Sequence, residues 1–143
     1  CAGRLGPVLQ SIRNMRRLGI WVGVTTLLIP GGSDSPEELE GIAGFLAEVD
    51  ADIPWHISAF HPSYKFMDRP STSAESLAKA RDVGRKAGLR YVYLGNVPGE
   101  NHTFCPGCAN AVIKRQGRLV QLAGVGTKGQ CPACGNQIPG IWT

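Results

Sequence analysis

Two Cys-x-x-Cys pairs near the end of the chain constrain its fold more than any other feature. Cys105 and Cys108 form the first pair, in Cys-Pro-Gly-Cys, and Cys131 and Cys134 form the second, in Cys-Pro-Ala-Cys. Between the pairs lie 22 residues. Each pair can offer two thiolates to one tetrahedral ion, and the Pro and Gly residues favour the tight turns that this requires. The spacing therefore predicts one metal centre made by all four cysteines.

The segment between the two pairs predicts a β-hairpin. Residues 111–115 and 118–122 have strand-forming composition, and Gly117 between them suits a tight turn. Two cysteine turns joined by a hairpin make a zinc ribbon. A module of about 40 residues is too small for a strong apolar core, so the metal would supply much of its folding free energy.

The identity of the metal is not fixed by spacing alone. We expect zinc in a structural, closed site. A rubredoxin-like iron, an iron–sulfur cluster, and disulfides or a redox dithiol are the alternatives, and disulfides are disfavoured in a chain without a secretion signal. His102 lies three residues before Cys105 and is a candidate ligand, but four thiolates already fill the coordination sphere.

The rest of the chain predicts alternating helices and strands. Apolar periodicity indicates helices over residues 7–18, 36–49 and from Thr72 to Gly88, and strands over residues 20–29, 55–60 and 89–94. Short links in this order are typical of βαβ units, so we expect an α/β fold with a parallel sheet. Pairs of residues that resemble capping boxes start two of the helices: Ser35 with Glu38, and Thr72 with Glu75.

Residues 20–29 are apolar at nearly every position, which is typical of a central parallel strand covered on both faces. Thr25 and Leu27 share one of these faces. The strand that begins at Trp55 ends near Pro62, because proline cannot donate to a sheet ladder. His61 therefore lies at the carboxyl end of a parallel strand, where α/β proteins bind ligands. We predict that His61 contacts a ligand and that His56, farther from this end, is an ordinary polar residue.

Composition narrows the class of function. The chain has 43% hydrophobic and 18% charged residues, which excludes a mainly disordered protein. The net charge is +4, and the Lys and Arg residues are scattered along the chain apart from Arg13, Arg16 and Arg17. A nucleic-acid groove usually concentrates its positive charge, so this distribution argues against one. We interpret those three arginines as a solvated helix face. The apolar run at residues 20–30 is too short to span a bilayer, and no signal peptide is visible, so we predict a cytoplasmic protein outside membranes.

The chain starts at Cys1 and opens on a helix without a first strand, so we interpret it as the carboxyl part of a longer protein. We expect Cys1 to be an ordinary thiol. A Gly/Pro/Asn-rich hinge and a change of composition predict two domains, residues 1–97 and 98–143.

Several stretches together resemble one enzyme family. They are the runs at residues 24–31, 34–35, 54–62 and 91–97, followed by the two cysteine pairs. The chain resembles the carboxyl half of the AmmeMemoRadiSam-system radical SAM enzymes, which are similar to pyruvate formate-lyase activating enzymes. The resemblance covers nearly the whole chain. It implies the last βα units of a partial (β/α)6 barrel, followed by a ribbon-like module.

The resemblance also implies a reaction and a cofactor site. The family reaction is reductive cleavage of S-adenosylmethionine by a [4Fe–4S] cluster, which gives a 5′-deoxyadenosyl radical that abstracts hydrogen from a substrate. His61 matches a histidine that contacts S-adenosylmethionine, and Thr25 and Leu27 match the strand that lines the adenosyl site. The partners implied are Memo-like and AMMECR1-like proteins.

The sequence departs from the family in one respect. The cluster motif Cys-x-x-x-Cys-x-x-Cys is absent, and none of the five cysteines has its spacing. The cluster ligands would lie in an upstream half, and this chain alone should be inactive. Two alternatives follow: a non-catalytic zinc-ribbon binding or scaffolding module that binds a partner protein or nucleic acid through the hairpin with Lys114, Arg115 and Arg118, or a metal-dependent hydrolase, which the three scattered histidines support less well. The substrate cannot be read from the sequence.

Overall fold

The chain divides into two compact units after Gly95, which we call the sheet unit and the cysteine unit. The computed structural model describes residues 3–99 and 101–142. Cys1 lies outside the described residues. The boundary that the sequence predicts is two residues later, after Val97.

The sheet unit alternates helices and strands in the predicted order. Its elements are α1 (Leu5–Arg17), β1 (Val24–Leu28), α2 (Pro36–Val49), β2 (Trp55–Ala59), α3 (Ala74–Lys86) and β3 (Val92–Gly95). The bounds of α2 agree with the prediction. β1 starts later than the predicted residue 20, because its pairing with β2 begins at Val24, opposite Trp55.

The three strands form one parallel sheet with the order β1-β2-β3. Thr25 lies beside His56 and Leu27 beside Ser58, and His56 lies in turn beside Tyr93 on β3. The prediction of a parallel α/β arrangement is confirmed. The prediction that β1 is the central strand is wrong: β2 is central, because no strand among the described residues pairs with the other edge of β1.

One face of the sheet carries the core of this unit. The largest side chains with almost no exposed surface are Leu28, Leu46, Ile53, Trp55, Ile57 and Leu77. Helix α3 packs against β2, β3 and α2. Gly84 allows this close approach, since a Cβ atom there would lie 2.9 Å from Trp55 Cε3. The opposite face is open: Thr25 and His56 are exposed, and Leu27 is 43% exposed. The expectation that β1 is covered on both faces is therefore also wrong.

Of the two predicted helix caps, Ser35 forms and Thr72 does not. The Ser35 hydroxyl accepts from the Glu38 N–H at 3.2 Å and bonds the Glu38 carboxylate at 3.1 Å, as predicted. The cap of α3 is Ser73, whose hydroxyl accepts from the Ser76 N–H at 3.0 Å. Thr72 was predicted to be that cap but is buried in the core.

Thr72 instead holds the ends of two strands together. Its hydroxyl accepts from the Phe60 N–H at 2.8 Å and donates to the Leu28 carbonyl oxygen. These two backbone groups lie where β1 and β2 stop pairing. A residue without a hydroxyl in place of Thr72 would remove this hydrogen-bond partner from both of them. Because an unsatisfied buried polar group is destabilising, this role outweighs helix capping.

The arginines of α1 mostly serve the fold. Arg13 pairs with Glu48 at 3.4 Å, and Arg16 pairs with Asp50 just beyond the end of α2. Arg16 also lies over the ring of Trp21, at 5.5 Å from its centroid. The predicted solvated face therefore applies only in part, because Arg16 and Asp50 are both partly buried.

The cysteine unit contains a second, antiparallel sheet. Its strands are β4 (Thr103–Phe104), β5 (Ala111–Gln116) and β6 (Leu119–Leu122), in the order β4-β5-β6. The predicted hairpin forms, with Gln116 opposite Leu119 and Gly117 at a φ of 56° in the turn. The short strand β4 was not predicted.

In the described part of the chain, no helix is both long enough and apolar enough to cross a membrane.

Candidate functional site

Each cysteine pair sits on a tight turn that the backbone closes in the same way. In the first turn, the Cys105 N–H donates to the Asn110 carbonyl oxygen and the Ala109 N–H donates to the Cys105 carbonyl oxygen, both at 2.8 Å. In the second, the Cys131 N–H donates to the Asn136 backbone carbonyl oxygen at 2.8 Å, and the Gly135 N–H donates to the Cys131 carbonyl oxygen at 2.9 Å. The repeated Cys-Pro-x-Cys-x-Asn sequence therefore folds twice into one local shape.

The position after the second cysteine of each turn has a left-handed backbone. Gly135 occupies it in the second turn, at a φ of 73°, and Ala109 occupies it in the first, at a φ of 56°. An L-residue is disfavoured there by roughly 1–2 kcal/mol. The first turn thus keeps an alanine in a backbone conformation that favours glycine.

The four sulfur atoms of Cys105, Cys108, Cys131 and Cys134 meet at one place. All lie within 4.8 Å of one another. Sγ of Cys105 lies 3.6 Å from Sγ of Cys134, and Sγ of Cys108 lies 3.7 Å from Sγ of Cys131. These distances are too long for a disulfide, whose sulfurs are about 2.05 Å apart. Four thiolates about 2.3 Å from a tetrahedral ion are separated by about 3.8 Å, so the site has the dimensions of a single-ion centre.

Burial distinguishes the inner from the outer ligand of each turn. Cys105 and Cys131 are each 2% exposed and pack with Val112 and Ile138, whereas Cys108 and Cys134 are exposed. The first cysteine of each pair therefore anchors the site to the small apolar core of the unit.

The thiols differ in acidity before a metal binds. Burial raises the pKa of Cys131, but the backbone N–H groups of Ala133 and Cys134, together with its sulfur neighbours, bring that pKa down to about 7. The Asn110 N–H lowers the pKa of Cys108, but hydrogen bonding to Cys134 and burial outweigh it and raise that pKa to about 12. Of these two thiols, Cys131 therefore loses its proton more readily. An ion that binds all four sulfurs must displace the proton that Cys108 holds.

His102 is not part of this cluster. The group of described residues that could hold an ion consists of the four cysteines alone. The Nδ1 atom of His102 accepts from the Arg115 N–H at 3.1 Å, which ties the start of the unit to β5. His102 therefore has a structural role in this unit, although it lies three residues before Cys105 in the sequence.

The residues predicted to contact S-adenosylmethionine lie in the sheet unit. His61 is exposed and follows β2 by two residues, at the carboxyl end of the sheet. Thr25 and Leu27 lie side by side with His56 and Ser58 on the open face. His56, which its position predicts to be an ordinary polar residue, lies on this same face, and the centroid of its ring is 5.1 Å from that of Tyr93. The alternation of residues along β2 is the signal that could have placed it there.

The loop after His61 is hydrogen-bonded to the segment that follows β1. Arg69 Nη1 donates to the Pro30 carbonyl oxygen at 2.7 Å, and its guanidinium carbon lies 5.6 Å from the centroid of the Phe66 ring. Phe66 in turn packs edge-on against Phe60, at 5.2 Å between centroids. Tyr64 is 84% exposed and has a φ of 53°, which is unusual for a residue other than glycine. The carboxyl rim of the sheet therefore presents an ordered loop beside His61.

Comparison with known proteins finds one informative relative. The chain is 40% identical over 144 aligned positions to the uncharacterized protein MJ0808 of the archaeon Methanocaldococcus jannaschii. The match covers 96% of this chain but 43% of that protein, so the chain spans less than half the length of the relative. No family model matches the chain.

Proposed function

We propose that this chain forms the carboxyl-terminal part of a radical SAM enzyme, in which the open face of the parallel sheet contributes one wall of the S-adenosylmethionine site. One observation carries the proposal: a parallel βα sheet leaves one face uncovered, and exposed His61 stands at its carboxyl rim. Ligands of parallel α/β sheets and barrels bind at this end.

The side chains of the open face suit an adenosyl group. Leu27 offers an apolar surface for the base, whereas Thr25 and Ser58 offer hydroxyl groups to a ribose. A neutral imidazole at His61 can hydrogen-bond a ribose hydroxyl or a carboxylate. Gly95 leaves this face open beside Ser58, because a Cβ atom there would lie 2.6 Å from Ser58 Oγ. In this proposal the sheet binds and orients the cofactor and keeps its base away from water.

When bound together, S-adenosylmethionine and a [4Fe–4S] cluster supply the reductive cleavage and the hydrogen abstraction implied by the resemblance. The residues of this chain do not fit the cluster. The four clustered cysteines lie within 4.8 Å of one another, as expected around one ion, whereas a cluster separates its ligands onto different irons. The cluster ligands would therefore come from outside this chain, and its cysteines take no part in the cleavage.

We further propose that the cysteine centre holds one zinc ion in a structural role. The sulfur separations of 3.6 and 3.7 Å fit tetrahedral thiolate coordination. Four protein ligands leave no open position for a substrate, and this is typical of structural rather than catalytic zinc sites. A single rubredoxin-like iron would fit the same distances, so metal analysis must distinguish the two.

The S-adenosylmethionine site can be tested on this chain directly. We would titrate S-adenosylmethionine into the 15N-labelled, zinc-loaded protein and record amide chemical shifts. We expect shifts at Thr25, Leu27 and His61, and none beyond noise around the metal centre. Because one wall of a site binds weakly, millimolar ligand will be required. The proposal fails if the open face does not respond, or if the shifts lie only in the cysteine unit.

A matched pair of histidine variants checks the role assigned to His61. His61→Ala should raise the Kd for S-adenosylmethionine by about 2- to 10-fold, the effect of losing one hydrogen bond. His102→Gln keeps an acceptor for the Arg115 N–H and should leave the Kd unchanged. Equal effects of the two variants would contradict a specific contact at His61.

A further inference from the structure

Strand β6 is an unprotected sheet edge. All four of its residues are exposed: Leu119, Val120 and Leu122 retain 75%, 63% and 61% of their accessible surface, and Gln121 is exposed as well. Val120 and Leu122 point to one side of the hairpin and Leu119 to the other, since side chains alternate along a strand. Apolar surface is thus exposed on both faces of the same short strand.

The backbone of β6 has groups directed away from the sheet. The Ala123 N–H donates to the Val112 carbonyl oxygen at 3.0 Å, which fixes the phase of the hydrogen bonds between β5 and β6. Because alternate residues of an antiparallel strand face the same neighbour, Leu119 and Gln121 also bond towards β5. The N–H and C=O groups of Val120 and Leu122 therefore face outwards, where no strand among the described residues pairs with them.

Protective devices are missing from this edge. Edge strands usually carry a lysine, a proline or a bulge that prevents another strand from pairing. Leu119-Val120-Gln121-Leu122 has no charge and no proline, and its register with β5 is regular. Such an edge, exposed and apolar, is typical of a site where a further strand is added.

The charges around the edge indicate what the added strand carries. From residue 96 to the end, the sequence has four Lys and Arg residues and one acidic residue, Glu100. Lys114 lies opposite Gln121, and Arg118 lies in the turn that leads into β6. Neither forms an ion pair with any carboxylate in the described parts of the chain. Arg115 is already engaged, because its Nη1 donates to Thr103 Oγ1 at 2.6 Å.

We propose that β6 binds an extended segment of a partner protein that is rich in Asp or Glu and in apolar residues, by strand addition. The backbone of the segment would bond Val120 and Leu122, its apolar side chains would cover the exposed leucines and valine, and its carboxylates would meet Lys114 and Arg118. This inference does not depend on the radical SAM proposal.

Two other occupants fit the same surface less well. Single-stranded nucleic acid binds by stacking bases on aromatic side chains, and β6 carries no aromatic residue. A second copy of the chain, paired edge to edge through β6, would offer Lys114 and Arg118 no carboxylate from its own cysteine unit, because Glu100 is the one acidic residue in the sequence from residue 96 onward. The acidic strand is the occupant that satisfies both the open backbone and the cations.

The test uses the full zinc-loaded chain and a defined probe. The probe is a fluorescein-labelled peptide that alternates Glu with Val over eight residues, and its binding is followed by fluorescence anisotropy. Two matched peptides replace every Glu by Lys or carry N-methyl groups at alternate residues, and labelled oligo(dT) probes nucleic acid. We expect the acidic peptide to bind at least about tenfold more tightly than either matched peptide.

Variants of the protein locate the binding surface. Val120→Pro removes an outward N–H but no bond to β5, so it should abolish binding while the metal content stays unchanged. Lys114→Glu, in β5, should weaken binding of the acidic peptide by about tenfold, whereas Lys128→Glu makes the same charge change in a turn after β6 and should have little effect.

Other outcomes would overturn the proposal. Equal binding of the acidic and Lys-containing peptides, or failure of the acidic peptide to bind at all, excludes acidic strand addition at this edge. Tighter binding of oligo(dT) than of the acidic peptide assigns the surface to nucleic acid instead. If sedimentation velocity shows a dimer that Val120→Pro dissociates, the surface belongs to a second copy of this chain.

Discussion

Replacing Cys131 by Ser should unfold the cysteine unit and leave the sheet unit folded. Cys131 is buried, and its sulfur lies 3.7 Å from that of Cys108, so the substitution removes an inner ligand from the centre. A serine hydroxyl is a poor zinc ligand, and the three remaining thiolates cannot complete the tetrahedral site. The substitution is nearly isosteric, so the expected effect arises from metal loss and not from a cavity.

The magnitude follows from what else stabilises the unit. Apart from the cysteines, its fully buried apolar side chains are Val112 and Ile138, with 0% and 1% exposure. Their burial contributes about 3–6 kcal/mol in total. A structural zinc ion contributes about 10–16 kcal/mol at neutral pH. Because the metal contribution is the larger by far, the unit without its ion should be unfolded at any temperature at which the sheet unit is stable.

Metal analysis combined with hydrogen exchange measures this directly. The purified chain should contain about one equivalent of zinc, and the Cys131→Ser variant should contain almost none. In the variant, the amides of Cys105 and Ile138 should lose protection, whereas those of Val24 and Trp55, which bond Pro54 and Tyr91, should keep it. Cys1→Ser supplies the control, since that cysteine lies outside the cluster sequence.

Zinc retained by the variant, or protection of Cys105 and Ile138 in the metal-free protein, would refute a metal-dependent fold of the cysteine unit. Iron in place of zinc, at one equivalent and without sulfide, would contradict the zinc assignment alone. Iron together with stoichiometric sulfide would contradict the single-ion geometry itself.

Two further predictions concern folding. Gly129→Ala should lower the free energy of unfolding of the cysteine unit by about 2–5 kcal/mol, because its φ is 79° and the added Cβ would lie 2.2 Å from Trp142 Nε1. Gly135→Ala, with a similar φ of 73° but no atom within 4 Å of the added Cβ, should lower it by only about 1–2 kcal/mol; equal effects in denaturant titrations would exclude a role for the Trp142 contact. Burial raises the pKa of Asp50, but the Asp52 N–H and the Arg16 guanidinium outweigh it and hold that pKa below its ordinary value of 3.8. The carboxylate therefore stabilises the sheet unit above about pH 4 and loses this effect as the pH falls through its folded pKa, so the stability difference between the wild type and Asp50→Asn should shrink in acid; a difference that is constant with pH would contradict the ion pair with Arg16.

Much of the local structure could be predicted from the sequence. The Ser35 cap, the bounds of α2, the hairpin around Gly117 and the meeting of the four cysteines follow from signals that act over a few residues or from chemistry that permits few alternatives. Side-chain capping, turn conformation and thiolate coordination are local constraints, and the sequence contains them in full.

The predictions that were wrong concern residues whose neighbours in the structure are distant in sequence. Thr72 and Ser73 are both good caps, and the choice of Ser73 depends on the buried Leu28 carbonyl and Phe60 N–H, which need the Thr72 hydroxyl. The apolar composition of β1 predicted a central strand, but the position of a strand in a sheet depends on which strands are present to pair with it. Likewise, the open edge of β6 follows from sheet order and hydrogen-bond phase.

The sequence by itself determined the cysteine turns, the hairpin turn, the start of α2 and the ligand set of the candidate metal centre, because each depends on groups within a few residues or on paired motifs. Only the tertiary structure decided that His56 shares the open face with Thr25 and Leu27, and that β1 and β6 each pair with a described strand on one side only. Those facts depend on which backbone hydrogen bonds are completed between distant segments, and the pattern of apolar residues along one segment does not specify its partners.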